Sequence, residues 1–398
     1  MIHIAIVQYA GDYREAYQRL LVKSGGEGQE NFYAQKHSVE AVANLGRQFG
    51  EVITLCYKSE NGAVYDEFLA AGVRAIGFGF TNKINDTKVI ACLEEIQPTH
   101  LILRTPSKSV FRWGIRNNVK ILALLADSFS NKNIRSWWSN FQLKNLLNHP
   151  NVTWVGNCNV PASLTLKDIG VNGDKIIPWE WPATRNPHDY KPKTLTSDRA
   201  FYQLFYAGQV NGGKGVDDLL QAISILHQQN FAVKLKIAGN GNLEAYRQKC
   251  QNLGVSDRIE FLGMIPNPQV FQMMQEADAV VVPSRPEYPE GFPKTVVETL
   301  CSRTPLIASN HPVFNNILDH DRNALVFPAG NAKILASEIQ RLLTNAELYH
   351  QLSVNSTEAW QKLQLPVKWL NLIEQWLVDS PDNYEWLYQH RLSSGLYD

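Results

Sequence analysis

The chain has 398 residues, of which 44% are hydrophobic and 19% charged; this excludes a disordered chain and exceeds one ordinary domain. Basic and acidic side chains balance at 38 each, so bulk charge gives no reason to expect a nucleic-acid partner, although a local patch remains open.

The first strand is expected over Ile2–Val7, a short apolar run, followed by a polar, Gly-rich stretch from Gly11 to Gly28. Apolar positions at helical spacing then cover Asn31–Phe49. Glu51–Tyr57 reads as a strand, Tyr65–Ala71 as a helix, Val73–Ile76 as a strand and Asp86–Ile96 as a helix. His100–Leu103 and Val119–Leu125 read as further strands. This alternation of short apolar strands with helices predicts a parallel α/β sheet.

The pattern breaks in PWEWPATRNPHDYKPKTLTS, from Pro178 to Ser197, where four prolines and many polar residues suit a linker. A second strand–helix series follows, with strands expected over Phe201–Ala207, Val233–Ala238, Ile259–Leu262, Ala279–Val282, Pro305–Ala308 and Ala324–Phe327. The expected organisation is a domain over 1–180, a linker over 181–200, a second domain over 201–366 and a helical tail over 367–398. The tail is rich in Trp and Tyr and is expected to pack back onto the body.

Cys56, Cys92, Cys158, Cys250 and Cys301 are far apart and odd in number, which argues against a disulfide scaffold or a zinc site. The opening MIHIAIVQYAGDY has no basic leader followed by a long apolar region, so no signal peptide is expected. No apolar run approaches the roughly 20 residues of a spanning helix. The expected location is cytoplasmic, at most peripheral at a membrane.

The richest stretch is AVVVPSRPEYPEGFPKTVVETLCSRTPLIAS, Ala279 to Ser309. A buried strand ends at Pro283-Ser284, and a Pro-rich loop leads to a helix starting near Pro293, where proline's missing N–H costs nothing. The helix start offers unpaired N–H groups and partial positive charge, a ready site for a diphosphate. Lys294 and the Thr295 hydroxyl add donors there. Glu298, one turn inside, could accept two hydrogen bonds from a ribose diol. Glu290, just before the helix, could face a sugar. The competing reading is a proline-rich loop capping an ordinary helix with two surface glutamates.

Glu290-Gly291-Phe292-Pro293, seven intervening residues and then Glu298 resemble the E-x7-E motif of family-4 retaining glycosyltransferases. The likeness extends through YAGQVNGGKGVDDLLQA, ending at Ala222, IAGNG at Ile237–Gly241, Phe261–Gly263, and NALVFPAG at Asn323–Gly330. The resemblance implies the GT-B fold, two facing Rossmann-like domains with parallel sheets, the first on the acceptor side and the second binding a nucleotide sugar. It implies a retaining transferase moving a sugar from a nucleotide-diphosphate donor to an acceptor hydroxyl, in a setting such as polysaccharide biosynthesis, with no cofactor and no metal. Lys214 would pair with the donor diphosphate, Glu298 would hold the ribose, and Glu290 with the N–H groups of Gly291 and Phe292 would hold sugar hydroxyls. Gly208, Gly239 and Gly241 would line the nucleotide side, with Met264 near the base. Gly26, in the Gly25-Gly26 loop, would bring an N–H near the phosphates.

The sequence departs from the family twice. Gln209 stands where an arginine usually follows the glycine of the A-G-x loop, and it supplies neither charge nor bidentate fork. Asp127 stands roughly where a histidine is usual; it could contact the sugar or acceptor hydroxyl, or simply cap a helix. Two alternatives therefore stay open: a sugar-nucleotide-binding protein without transfer activity, and a nucleotide-sugar epimerase of the same fold.

Arg112, Trp113, Arg116, Lys132, Arg135, Trp137, Trp138 and Lys144 give the first half a basic and aromatic character. Such a surface could touch anionic lipid or a lipid-linked acceptor; the other reading is a solvated face over buried tryptophans. Asp319-His320-Asp321 matches the D-x-D pattern of metal-dependent transferases but is read as a solvated turn.

Overall fold

The computed structural model describes residues 2–22, 28–31, 34–70, 72–81, 84–131, 133–196, 200–290 and 294–397. It divides into two compact units, one formed by residues 1–30, 34–182 and 365–398 and the other by 31–33 and 183–364.

The first unit is built on β1 (Ile4–Ala10), β2 (Val52–Lys58), β3 (Val64–Leu69), β4 (Val73–Phe78), β5 (His100–Leu103), β6 (Lys120–Leu125), β7 (Val152–Cys158) and β8 (Ile176–Trp179). Among the described residues these form one sheet in the order β3-β4-β2-β1-β5-β6-β7-β8. The inner strands, such as VITLCYK and KILALL, are continuous apolar runs buried on both faces, as parallel strands covered by helices require. Two of the crossover helices show their polar caps: Ser107 accepts from the N–H of Val110, and Asn133 and Ser136 cap one another reciprocally.

One expected element is wrong. Tyr65–Ala71 reads as a helix, but Val64–Leu69 is a strand running antiparallel to β4. Its exposure alternates: Val64 and Phe68 face solvent while Tyr65 is buried, its hydroxyl donating to Asp12 at 2.6 Å. A six-residue edge strand with a single buried anchor carries too little periodicity to be told from a short helix. The strands β7 and β8 were not anticipated either.

The tail packs onto the first unit, as expected. Glu180 N–H donates to Val367 O and Trp369 N–H to Glu180 O, both at 3.0 Å, which adds a short parallel bridge beyond β8. The helix Trp369–Leu377 then buries Trp369, Leu372, Ile373, Trp376 and Leu377.

The second unit carries β9 (Tyr202–Ala207), β10 (Val233–Ala238), β11 (Ile259–Gly263), β12 (Ala279–Val282), β13 (Leu306–Ser309) and β14 (Leu325–Phe327). Its sheet runs β11-β10-β9-β12-β13-β14, and every pairing is parallel. Each anticipated strand of this unit is present, with ends moved by a residue or so.

Candidate functional site

In the second sheet, chain order runs one way from β9 through β10 to β11 and the other way from β12 to β14. Where that direction reverses, the loops at the carboxyl ends of the two central strands diverge and leave a crevice for ligands. A cavity of about 200 Å³ opens at this point, lined by Ala207 at the end of β9, Val282 at the end of β12, and Lys294, Thr295 and Val296 at the start of the helix Lys294–Cys301. Typical small-molecule pockets span roughly 300–1,000 Å³, so the cavity suits one end of an extended ligand.

Two charged groups meet there from segments 76 residues apart: Lys214 Nζ lies 2.5 Å from Glu290 Oε1. The loop after β9 is closed by the Lys214 N–H donating to Asn211 Oδ1 at 2.9 Å. Gly215 follows with φ +70°, and a Cβ there would meet the Pro283 carbonyl oxygen at 1.9 Å. Only glycine lets this loop lie against the end of β12.

The same Glu290 oxygen accepts from Ser284 Oγ at 2.6 Å. Tyr288 covers Lys214, with the ammonium 4.4 Å from the ring centroid, and its hydroxyl donates to Gln209 Oε1 at 3.3 Å. Burial first, and the Glu290 charge second, hold the Tyr206 phenol firmly protonated; it donates to the Gln209 carbonyl at 2.6 Å. The loop bearing Glu290 is tied down by Arg285, which forks onto Asp218 at 2.9 and 2.7 Å. The result is a cation and an anion held side by side in a half-buried crevice, suited to a ligand with both phosphate and hydroxyl groups.

Of the anticipated site residues, Lys214, Glu290, Lys294 and Thr295 line this one cavity. The Thr295 hydroxyl proton goes to the Ala207 carbonyl at 3.1 Å, so it braces the helix against β9. Gly208 and Gly239 join strand ends: Gly208 N–H donates to Ala238 O at 2.9 Å and Gly239 N–H to Gly263 O at 2.8 Å. A Cβ on Gly239 would meet the Gly208 carbonyl oxygen at 1.7 Å, so backbone crowding alone requires that glycine. Gly241 bridges Val210 in the same row, and Met264 is exposed just after β11. Gly25, Gly26, Gly291, Phe292 and Pro293 lie outside the described residues.

Glu298 is buried and is not among the residues that line this cavity. It accepts from Asn267 Nδ2 at 2.7 Å and lies 3.3 Å from Arg185 Nη1. Sequence reading missed Arg185, Asn267, Ser284 and Tyr288. Arg185 sits in the segment read as a linker, and nothing local marks it as the partner of a glutamate 113 residues away. Replacing Glu298 with alanine strips both donors of an acceptor, and we expect it to cost about 1–3 kcal/mol of stability and to weaken nucleotide binding. Denaturant titration and nucleotide calorimetry check the two effects separately; lost stability with unchanged affinity leaves Glu298 a purely structural role.

The first sheet has its own reversal point, between β1 and β5. Arg104 lies there, donating to Gln8 Oε1 at 2.9 Å with its guanidinium 5.3 Å from the Trp369 ring and 5.7 Å from that of Trp181. Among the described residues no carboxylate pairs with it, and burial lowers its pKa to about 10. Asp127 follows β6 in the same unit, and burial raises its carboxyl above the usual range. In the second unit, Asp319 pairs with Lys362 at 2.8 Å and Asp321 with Arg341, so surface cations occupy both carboxylates of that D-x-D stretch.

The family model described as glycosyl transferases group 1 matches residues 190–359. An uncharacterised glycosyltransferase of Methanocaldococcus jannaschii is 28% identical over 144 residues, 36% of either chain. The chain covers only 33% to 56% of the length of the first curated relatives it matches. Among solved structures, sucrose-phosphate synthase of Thermosynechococcus elongatus superposes with a TM-score of 0.67 at 18% identity, covering 98% of this chain and 99% of its own. An Anabaena protein crystallised with UDP-glucose gives 0.65 at 15% identity, covering 95% and 98%. These likenesses span nearly the whole chain and show its fold: two Rossmann-like domains of the GT-B class.

Proposed function

We propose that this chain, whose residues 190–359 match the family model of group 1 glycosyl transferases, is a retaining glycosyltransferase of family 4 that moves a sugar from a nucleotide-diphosphate donor to an acceptor hydroxyl. The observation that carries this reading is the Lys214–Glu290–Ser284 cluster in the crevice at the head of helix Lys294–Cys301. Lys214 and Lys294, with the helix start, meet the charge that develops on the departing diphosphate. Glu290 takes sugar hydroxyls and so fixes the sugar relative to that charge.

In the step itself, the bond from the anomeric carbon to the diphosphate breaks, and its electron pair leaves with the phosphate oxygen. The acceptor oxygen bonds the same carbon on the same face, and its proton passes to the departing phosphate. Asp127 contacts the sugar or the acceptor hydroxyl; its raised carboxyl pKa suits a group that can also hold a proton. No metal enters the scheme, since the lysines supply the positive charge. We assign the chain to the cytoplasmic side, peripheral at a membrane surface, in the assembly of a polysaccharide or glycolipid.

Gln209 favours a second reading, a sugar-nucleotide binder without transfer. Its side chain brings no charge to the diphosphate and is engaged by Asn211 and Tyr288. Incubation with a panel of nucleotide sugars, with and without candidate acceptors and in EDTA, separates the readings. Release or transfer of the sugar in EDTA, with the donor's anomeric configuration kept by proton NMR, is the expected result. Saturable binding without turnover supports the second reading, and conversion of the donor to an epimer overturns both.

A further inference from the structure

The balanced charge of the whole chain hides a local imbalance. Between Glu95 and Asp168 the sequence has nine Lys and Arg residues and a single carboxylate, Asp127. Two adjacent helices carry most of this charge, Lys108–Arg116 and Ile134–Leu147, linked by Arg112 donating to Gln142 at 3.3 Å and Lys108 donating to Ser139 at 3.0 Å.

The second of these helices is apolar on two faces. Leu143 and Leu147 are buried. On the opposite side, Ile134, Trp137, Trp138 and Phe141 are 86%, 49%, 54% and 37% exposed. Their spacing of three and four residues puts all four on one stripe. The three rings form a continuous platform: Phe141 stacks on Trp137 at 5.6 Å and on Trp138 at 5.8 Å. A contiguous apolar patch of this kind marks an interaction surface, whereas scattered single residues do not. Its rim is cationic. Lys144 reaches over Phe141 at 4.9 Å, and Arg112, Arg116 and Arg135 are exposed nearby. Among the described residues, none of Lys108, Arg112, Arg116, Arg135 and Lys144 pairs with a carboxylate.

We propose that the helix Ile134–Leu147 docks on an anionic lipid bilayer, with Ile134, Trp137, Trp138 and Phe141 in the headgroup–acyl boundary and the surrounding cations on lipid phosphates. Tryptophan is the side chain best suited to that boundary, because its ring is apolar and its N–H stays wet. Unpaired lysine and arginine around an aromatic stripe match the negative potential of an anionic leaflet. The contact is peripheral: no described helix is long and apolar enough to cross a membrane. This docking does not depend on the sugar-transfer reading and is tested without turnover.

The full chain is mixed with vesicles of phosphatidylcholine alone and of phosphatidylcholine with phosphatidylglycerol, then sedimented. Capture by the anionic vesicles, a blue shift of tryptophan emission and weakening by salt are expected. Trp137→Ser with Trp138→Ser, on the exposed face, should keep the wild-type unfolding midpoint while weakening capture about tenfold or more, as loss of two interfacial anchors implies. Absent capture, equal capture by both vesicle types, or undiminished capture of the double variant overturns the proposal. So does self-association that the double variant abolishes in the absence of vesicle binding, which makes the stripe a dimer contact.

Discussion

Replacing Lys214 with alanine should lower kcat/KM for the donor about 10²–10³-fold, the usual cost of removing one preorganised donor aimed at developing negative charge. The argument rests on scarcity. Gln209 brings no charge to this loop, and Arg285, in the loop after β12, is already forked onto Asp218. Lys214 is held by its turn hydrogen bond, by Tyr288 and by Glu290, so its charge is in position before the donor arrives. The variant leaves Glu290 with only the Ser284 hydroxyl among the contacts described above, which threatens the fold as well as the chemistry. Adding Glu290→Gln removes that orphaned charge. The double variant should regain stability, and because Glu290 itself holds the sugar, the catalytic loss is read on Lys214→Ala alone, below its own unfolding midpoint. Wild-type turnover in Lys214→Ala would sink the diphosphate role.

Trp376→Ala should destabilise the first unit by about 3–5 kcal/mol, the range for truncating a buried aromatic. Trp376 is 2% exposed. Its Nε1–H donates to Thr153 Oγ1 on β7 at 2.7 Å, and His100 at the start of β5 meets its ring edge-on at 5.2 Å. Through this ring the tail helix packs against the amino-terminal ends of β5 and β7. Denaturant unfolding followed by tryptophan fluorescence measures the loss, with separate transitions allowed for the two units. Trp376→Phe keeps most of the apolar contact and removes the hydrogen bond, so about 1 kcal/mol is expected there. A cost below 1 kcal/mol for alanine would make the tail a loosely attached appendage.

Much of the fold was legible because its signals are local. KILALL and AVVV are too apolar to be anything but buried strands, and the helices between them follow the 3.6-residue period. Val64–Leu69 failed because a short edge strand has one buried face and few residues to show it. For Trp137 and Trp138 the sequence leaves two readings, an exposed basic and aromatic surface or buried rings, and only the packing of Leu143 and Leu147 on the other face of their helix decides for exposure.

The candidate site divides along the same line. The spacing of Glu290 and Glu298 and the glycines before Lys214 pointed to a phosphate-facing loop and helix start, because turn geometry and helix ends are written in short stretches of chain. By itself, then, the sequence determined the second sheet, five strands of the first, the glycine loops and the residue types available to a diphosphate. Only the tertiary structure decided that Lys214 and Glu290 form one ion pair, and that Glu298 is paired with Arg185 and Asn267. Strand order brings such groups together across 76 and 113 residues. No local periodicity encodes a distance in space.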